Sequence, residues 1–423
     1  MAKDPYLVAI DIGSHSIKLA VAKDSLDSQD KVQILALVER SSAGIRRGIV
    51  TNMSEATEAL IDIINQAESI IGLPIKKAVI GVNGTSIIFT NSDGLIVISR
   101  PENEVLESDV ERVIQDSLTK AFGVNNNEIL HVIPKNFTVD NQRGIRFPAG
   151  MVGSKLEAKT LIVSSETSYI RNFTKVFNQA SLDISDRIFT PLASGDFLLT
   201  LRQKKAGTIL IDIGYASTSF IVWENEEILG SGVIPVGSDH ITADLAVGLQ
   251  TNMEMAEEIK KQNLDLSISS GEIVEIEVFN PDLQINETFK INEVNQYAKP
   301  RVEEIFLYIN KELRKLGKTS LPGGAVLVGG GSALKGIEEV AKEVLRQPIF
   351  KYVFDRSVVE FVPDYNNDPA FINVIALAAY SLFHSEEMSY NQRFSHSSQS
   401  STRGQNDNNQ NFKSFIKNIW PWS

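Results

Sequence analysis

The sequence predicts an α/β protein built from two related halves, and three glycine-rich turns carry this prediction. The apolar stretch Leu7–Ile10 leads into Asp11-Ile12-Gly13 and then into a second apolar stretch, a pattern typical of a β-hairpin. About 200 residues later, Thr208–Ile211 leads into Asp212-Ile213-Gly214 in the same way. The third turn, Gly329–Gly331, stands between a predicted strand and a predicted helix. Two such hairpins at this separation indicate a duplicated unit.

Composition limits the classes of protein and of site. The chain has 423 residues, 43% of them hydrophobic, and is long enough for several packed units. It contains no cysteine, which excludes disulfides, thiolate nucleophiles and cysteine-ligated metal centres. Its five histidines show no metal-type spacing. The formal net charge of -12 argues against nucleic acid as a partner.

No segment has the length of a secretory signal or a membrane span. The apolar stretch at Leu7 is too short for a signal-peptide core and ends in a carboxylate. The stretch Val374–Phe383 has about half the length that a bilayer requires. We therefore expect the main body to be soluble and cytoplasmic.

Helical periodicity follows each hairpin. Ser54–Ile71 carries apolar residues at helical spacing and ends at Gly72-Leu73-Pro74. The other expected elements are helices over Thr242–Val247, Arg301–Leu316 and Lys335–Leu345, and a strand over Ala325–Val328. The second of these helices follows Pro300, which suits a first helical turn.

The three turns have the chemistry of an anion site. Glycine lets backbone N–H groups approach a bound phosphate closely, and neighbouring hydroxyls add donors. An aspartate at a strand end can hold Mg²⁺, usually through water. Two facing hairpins suit the triphosphate of ATP, and Gly329–Gly331 suits its nucleoside. The sequence contains neither a Walker-type phosphate loop nor a G-x-G-x-x-G turn after a strand.

The C-terminal part changes character. Residues 386–410 are rich in Ser, Asn and Gln and predict a disordered linker. After it, one helical stripe of apolar residues predicts an amphipathic helix over 411–423 that binds anionic lipids. Its members are Phe412, Phe415, Ile416, Ile419 and Trp420, with Lys413 and Lys417 beside the stripe. Docking to a partner protein or to the body of the chain is the alternative.

Several stretches resemble a known family. The three turns are similar to those of the actin-like ATPase superfamily. More specific stretches resemble the FtsA family of bacterial cell-division proteins, and the resemblance covers nearly all of residues 1–383. These stretches are Gly44–Val50, Val79–Gly84, Ile129–Asp140, Pro191–Ser194, Val233–Thr242 and Asp368–Phe371.

The resemblance implies an actin-like fold of two related half-domains with an inserted α+β subdomain. The implied division is a first core subdomain over 1–83 and 164–205, an inserted subdomain over 84–163, a second core subdomain over 206–244 and 310–385, an FtsZ-tail-binding subdomain over 245–309, and the linker and terminal helix already described.

The resemblance also implies a function. Members of this family are ATP-dependent membrane adaptors that polymerise into actin-like filaments and tether FtsZ to the inner face of the cytoplasmic membrane at the division site. The implied partners are the FtsZ C-terminal tail, further copies of the chain, membrane lipids and other division proteins. The implied cofactors are ATP and Mg²⁺.

The family's functional positions transfer residue by residue. The cofactor-binding residues implied are Asp11, Gly13, Ser14, Ser16, Lys18, Asp212, Gly214, Ser217, Thr218, Glu304, Gly330, Gly331 and Ser332. Asp11 and Asp212 are the implied metal residues, acting through water. Arg301 is the position implied for the acidic FtsZ tail, since a cation suits an acidic peptide.

Two departures from the family pattern favour slow hydrolysis. After Gly214 the chain reads Tyr-Ala-Ser-Thr-Ser, whereas the family usually has two more glycines and a final aspartate in this turn. Thr190 stands where many relatives carry a glutamate, near the position that orients the attacking water. A threonine hydroxyl is a poor base at neutral pH. We expect ATP binding and at most a slow ATPase.

Two alternatives remain open from the sequence. A PilM-like assembly protein of type IV pili also suits Asp11–Ser14 and Lys18, but lacks the inserted segment and the terminal helix. A small-molecule kinase of the same superfamily needs a catalytic carboxylate aimed at a substrate hydroxyl, and the sequence offers no convincing one.

Overall fold

A computed structural model describes residues 6–24, 31–122, 127–268, 274–280 and 284–384. The linker over 386–410 and the terminal helix over 411–423 lie outside these ranges. Two β-sheets of matching topology form the described body, and a third sheet belongs to an inserted subdomain.

The chain begins with the first sheet. Its early elements are β1 (Leu7–Ile12), β2 (Ser16–Asp24), β3 (Val32–Ser41), the short hairpin β4 (Ile45–Arg46) and β5 (Ile49–Val50), α1 (Met53–Ile71) and β6 (Lys77–Val82). The helix expected over 54–71 is confirmed by α1. The side chain of Asn52 accepts hydrogen bonds at its start, and Gly72, at φ 69°, ends it.

The inserted subdomain follows β6. It contains β7 (Ile87–Val97), α2 (Glu107–Phe122), β8 (Asn127–Val139), β9 (Gln142–Ile145) and β10 (Lys155–Glu166). The strands form an antiparallel sheet in the order β7-β10-β8-β9. The subdomain has its own apolar core, to which α2 contributes Val110, Val113 and Ile114.

The chain then completes the first sheet and crosses to the second half. This part contains α3 (Thr167–Gln179), β11 (Asp183–Phe189), α4 (Thr190–Leu198) and α5 (Leu201–Ala206). In the first sheet β1 lies between its hairpin partner β2 and the parallel strand β6, and β11 pairs parallel with β6.

The second half repeats this plan. It contains β12 (Thr208–Ile213), β13 (Thr218–Glu224), β14 (Glu227–Ile234), α6 (Ser238–Gly248), α7 (Met253–Glu258) with a π-helical turn over Ile259–Asn263, β15 (Glu275–Asn280), β16 (Ile285–Lys290), α8 (Ile291–Lys315), β17 (Ala325–Val328), α9 (Ile337–Leu345) and β18 (Ile349–Lys351). The strand order β14-β13-β12-β17-β18 matches β3-β2-β1-β6-β11 of the first sheet. The duplication expected from the two hairpins is therefore present in the fold.

One helix begins earlier than its sequence indicates. Proline at position 300 predicted a start at Arg301, but α8 begins at Ile291 and carries Pro300 inside it. Buried Val294 and Ala298 lie before the proline, and Val302 lies after it. Packing of this continuous apolar face outweighs the loss of one backbone hydrogen bond.

The C-terminal elements return to the first half, which corrects one expected boundary. The second core subdomain was expected to include residues up to 385. Instead β19 (Val359–Phe361) pairs with β3 in the first sheet, and α10 (Ile372–Phe383) packs against β1, β2 and α4. Because α10 is apolar on nearly all sides, it needs cover from several elements. None of the helices in the described ranges is both long and apolar enough to cross a bilayer.

Candidate functional site

A cleft of about 560 Å³ lies between the two halves, and all three glycine-rich turns line it. This volume is in the range of small-molecule and cofactor sites. The expected residues that line it are Asp11, Gly13, Ser14, Ser16, Lys18, Asp212, Gly214, Ser217, Gly330 and Gly331. The fold therefore brings together residues that are far apart in sequence.

The two hairpin turns have the same internal geometry. The N–H of Gly13 donates to the carbonyl of Ser16 at 3.0 Å, and the N–H of Gly214 donates to the carbonyl of Ser217 at 3.0 Å. A Cβ on either glycine would lie 2.8 Å from that same carbonyl oxygen. Glycine is thus required sterically at both turns, and a hydroxyl-bearing residue follows each one.

Asp11 and Asp212 face each other from the two halves. Burial raises the pKa of Asp11, and the charge of Lys18 acts in the opposite direction. Burial also raises the pKa of Asp212, to about 6, with a hydrogen bond from Asn373 lowering it and the charge of Asp11 raising it. Two mutually repelling carboxylates in a polar cleft form a donor set that suits a divalent cation. In the described ranges no cluster of three or more acidic or histidine side chains accompanies them.

The third turn approaches the second aspartate closely. Gly329 has φ 83°, and a Cβ there would lie 2.2 Å from Oδ1 of Asp212. Side chains rarely adopt this backbone conformation, so both the φ angle and the contact require glycine. The following residues, Gly330 and Gly331, then line the cleft.

Lys18 is already ordered on the first turn. Its Nζ lies 2.6 Å from Oγ of Ser16 and 3.3 Å from Oε1 of Glu39. Burial alone would raise the pKa of Glu39, but the bond to Ser16 and the charge of Lys18 outweigh it and keep that pKa below its usual range. Lys18 therefore supplies a cation beside Asp11 on the wall formed by the first half.

Three charged residues of the second half line the cleft and were not among the expected site residues. Glu257, Lys260 and Lys261 line the cleft from α7 and the π-helical turn. Lys260 Nζ lies 2.6 Å from Glu257 Oε2 and also donates to the carbonyl of Ser238 and to the hydroxyl of Thr242. Burial lowers the pKa of Lys260, and its contact with Glu257 acts in the opposite direction. The i, i+3, i+4 spacing was a usable signal, because it places all three side chains on one helical face.

Asn83 also lines the cleft, directly after β6, and was not among the expected site residues. Its Nδ2 donates to Asp212 Oδ2 at 3.2 Å and to Ser219 Oγ at 3.0 Å. No sequence pattern signals this residue, because its two partners are brought to it by the tertiary fold.

Three expected residues have other contacts. Thr218 and Ser332 are buried, and their hydroxyls donate to the carbonyls of Val236 and Gly329. Glu304 was expected near a ribose, but it lies outside the cleft lining, on α8, in an ion pair with Arg301. Glu304 and Arg301 are three residues apart in α8, a spacing that lets their side chains pair.

Thr190 and Tyr215 are two positions at which the sequence departs from the family pattern, and both make contacts at the cleft. The Thr190 side chain is buried at the start of α4, and its hydroxyl lies 3.3 Å from Oδ1 of Asp11. Tyr215, which stands where the family has glycine, pairs with His15 across the cleft with ring centroids 4.9 Å apart. Lys260 Nζ lies 5.8 Å from the Tyr215 ring. The two phosphate-type turns are therefore in direct aromatic contact.

Arg301 lies away from the cleft with its charge partly neutralised. Its Nε donates to Asp244 Oδ2 at 2.7 Å, its Nη2 to Asp244 Oδ1 at 3.2 Å, and its Nη1 pairs with Glu304. The hydrogen bond with Asp244 is the main cause of the raised pKa of Arg301. The residues expected to bind the membrane lie outside the described ranges: Phe412, Lys413, Phe415, Ile416, Lys417, Ile419 and Trp420.

Comparison with known proteins identifies the family to which the chain is similar. A family model described as "SHS2 domain inserted in FTSA" matches residues 84–164, and one described as "Cell division protein FtsA" matches residues 209–376. Cell division protein FtsA of Bacillus subtilis (strain 168) is 33% identical over 353 residues, which cover 82% of this chain and 79% of the relative. The FtsA protein of Pseudomonas aeruginosa is 30% identical over 349 residues, covering 81% of this chain and 82% of the relative.

Solved structures agree on the fold. The structure of the PilM-PilN type IV pilus biogenesis complex matches with a TM-score of 0.64 at 14% identity, covering 89% of this chain and 98% of that one. At this identity the likeness shows the actin-like ATPase fold alone and does not select between pilus assembly and cell division. The family matches make that choice, and the resemblance seen in the motifs is confirmed: the chain belongs to the FtsA family of cell division proteins.

Proposed function

We propose that this protein is an ATP-binding, actin-like adaptor that self-associates and tethers FtsZ filaments to the inner face of the cytoplasmic membrane at the division site. The observation that carries the proposal is the cleft in which two equivalent Asp-Ile-Gly turns face each other beside Gly329–Gly331. Family membership supports the division role.

The cleft has complementary chemistry for a nucleoside triphosphate with Mg²⁺. The backbone N–H groups of the turns and Lys18 suit the phosphates. Asp11 and Asp212 suit the metal, through water, because their carboxylates line the same cleft from the two hairpin turns and repel each other. Glu257 and Lys261 have hydrogen-bonding groups for the nucleoside side of the ligand. Burial is the main cause of the raised pKa of Asp212, and the charge of Asp11 adds to it. Bound Mg²⁺ would neutralise this second contribution.

We expect turnover to be slow. Thr190, at the position expected to orient water, is buried and has its hydroxyl bonded to Asp11. A hydroxyl in this arrangement does not remove a proton from water at neutral pH. The cleft therefore suits a nucleotide that controls assembly more than one that is rapidly consumed.

The proposed FtsZ-tail surface combines charge with exposed apolar groups. Arg301 and Asp244 join α8 to α6, and the same two helices carry Val247 and Leu307, which are 81% and 58% exposed. An arginine and exposed apolar residues on the same pair of helices suit a short peptide that carries both apolar anchors and carboxylates. Because Asp244 and Glu304 already pair with Arg301, such a peptide must compete with them.

Membrane attachment is proposed from the sequence of 411–423. Its apolar stripe, with two lysines beside it and Trp420 within it, suits the interface of an anionic bilayer. A short helix of this kind binds weakly, which favours anchoring through many linked copies.

The first experiment measures Mg-ATP binding by calorimetry. Asp212→Ala should weaken binding at least tenfold, equivalent to about 1.4 kcal/mol. Asp62→Ala is the matched control, because Asp62 is an exposed aspartate on α1 outside the cleft lining. Equal affinity of the Asp212 variant and the wild type would contradict the assignment of the cleft as the nucleotide site.

A further inference from the structure

In the described part of the chain, the inserted subdomain and the residue directly before it make polar contacts with both ends of strand β13. At the start of β13, Ser219 Oγ accepts from Asn83 Nδ2 and donates to Asp212 Oδ2 at 3.2 Å. Asn83 is the last residue before the inserted segment, and its own carbonyl accepts from Tyr169, just after that segment. The base of the inserted subdomain is thus bonded to the second phosphate-type turn.

The other end of β13 is held by Arg146, directly after β9 of the inserted subdomain. Its guanidinium donates to the carbonyl of Asn225 and to Glu226 Oε2 at 3.2 Å, and Nε lies 3.4 Å from Glu227 Oε1. Asn225 and Glu226 have φ 52° and 64°, so they form a tight hairpin turn between β13 and β14. Glu226 and Glu227 are 10% and 24% exposed, so these ion pairs are less screened than surface pairs.

A third polar contact joins the inserted subdomain to β14. Lys135 of β8 donates to the carbonyl of Leu229 at 2.8 Å and to Asn91 Oδ1 at 3.0 Å. Asn91 belongs to β7 of the inserted subdomain, so Lys135 bridges that subdomain and the edge strand of the second sheet. Arg146 and Lys135 of the inserted subdomain, together with Asn83 at its base, therefore join one hairpin of the second half to the first half.

Elsewhere the two halves are joined mainly by apolar packing, and also by α5 of the first half, whose Lys205 pairs with Glu226 at 3.0 Å. The chain crosses between them from α5 to β12 and again between β18 and β19. Helices α4 and α10 lie between the sheets in one apolar cluster. Apolar helix packing of this kind permits small sliding movements, whereas directional ion pairs fix one arrangement.

We propose that the inserted subdomain is a strap that fixes the relative position of the two halves by holding strand β13 at both ends, with Asn83 positioning Asp212 in the cleft. Release of the Arg146 end lets the second half move and loosens the cleft. The consequence for nucleotide release rests on the proposed function, whereas the mechanical part does not.

The absence of cysteine from the chain makes a direct distance measurement possible. Cysteines are introduced at Asp62 on α1 and Lys311 on α8, which are exposed and belong to opposite halves. Spin labels on these two sites report the inter-half distance by pulsed electron resonance, with no background labelling. The full chain is used, without nucleotide.

Arg146→Glu should broaden or shift the distance distribution, because it places a third carboxylate against Glu226 and Glu227. Arg143→Glu is the matched control: it makes the same charge change on exposed β9, and Arg143 has no ion pair in the described part of the chain. Adding Glu227→Arg to the Arg146 variant should restore part of the narrow distribution. If Arg146→Glu fails to fold, Arg146→Gln and Asn83→Ala break the two ends more mildly and are read in the same way.

A distribution for the folded Arg146 and Asn83 variants that equals that of Arg143→Glu would overturn the strap. Release of a fluorescent ATP analogue provides the second readout, and Arg146→Glu should accelerate it at least threefold. Wild-type protein that binds no ATP would refute the proposed function, and the distance measurement would still decide on the strap. Normal binding with unchanged release in a variant of altered distance would overturn the link to the cleft.

Discussion

His131 is a buried residue whose charge state affects the stability of the fold. It lies on β8 of the inserted subdomain, and its Nε2 accepts a hydrogen bond of 2.9 Å from the backbone N–H of Phe189, next to Thr190. Burial lowers its pKa to about 4. The neutral ring is therefore the form that the fold accommodates, and it ties the inserted subdomain to the end of β11.

This predicts a loss of stability on mild acidification. The unfolded chain binds a proton at His131 near pH 6.5, whereas the folded chain binds it only near pH 4. The contribution is therefore complete above pH 6.5 and is lost as the pH falls toward 4. Between pH 7.5 and 5 the wild type should lose about 2 kcal/mol more unfolding free energy than His131→Gln, measured by urea denaturation. His131→Gln is chosen because its amide oxygen can still accept the bond, and parallel pH profiles of the two proteins would contradict the assignment.

Single residues also show which parts of the candidate site can be predicted from the sequence. Asp11 and Asp212 were predictable because a strand followed by Asp-Ile-Gly is a local pattern that occurs twice. Asn83 was not, because its function depends on Asp212 and Ser219, which only the tertiary fold brings to it. Glu304 was expected from the family resemblance alone, and here it lies outside the cleft lining and pairs with Arg301.

At the scale of elements, helix α8 carries a charge cluster that limits partner binding. Arg301 faces Asp244 on α6 and Glu304 one turn along α8, so the three side chains together have a net charge of about −1. An acidic peptide gains little from approaching such a cluster unless it displaces one of the carboxylates. The two acidic partners therefore set the threshold for binding as much as the arginine does.

Two substitutions test this arrangement with an acidic FtsZ C-terminal peptide, by fluorescence anisotropy at low salt. Arg301→Glu should abolish binding, and Asp244→Asn should strengthen it about threefold or more, because it removes a competing charge. Arg314→Glu is the matched control, since Arg314 is an exposed arginine near the end of the same helix. Mg-ATP affinity should stay unchanged in all three variants. Normal peptide binding by the Arg301 variant would place the contact elsewhere on the surface.

Element boundaries were harder to predict than element types. Helix α1 was recoverable because its apolar spacing and its end at Gly72 agree. Helix α8 was not, because Pro300 signals a start that the apolar face on both sides of it overrides. The return of β19 and α10 to the first half has no local signal either. It follows from the need to bury α10 between elements of both halves.

At the scale of the whole molecule, the weak step of the proposed function is attachment to the membrane. Five large apolar side chains in 411–423, only partly inserted, contribute roughly 5–8 kcal/mol before opposing terms. Lys413 and Lys417 add about 1 kcal/mol each near anionic lipid. Ordering a short helix consumes much of this free energy. A single tail should therefore bind weakly and reversibly, and linked copies should bind far more tightly without any new contact.

The last prediction separates the tail from self-association in a liposome pelleting assay. Trp420→Glu should release the protein from anionic liposomes, because it puts a carboxylate into the apolar stripe, where burial of an unpaired charge is costly. Trp422→Glu is the matched control, since Trp422 lies beyond Pro421 and outside the stripe, and it should reduce binding less. A variant with an intact tail but blocked self-association should also lose most binding, and fusion to a dimeric coiled coil should restore part of it. Full pelleting of the monomeric variant would show that the short helix suffices alone, and the avidity argument would then fail.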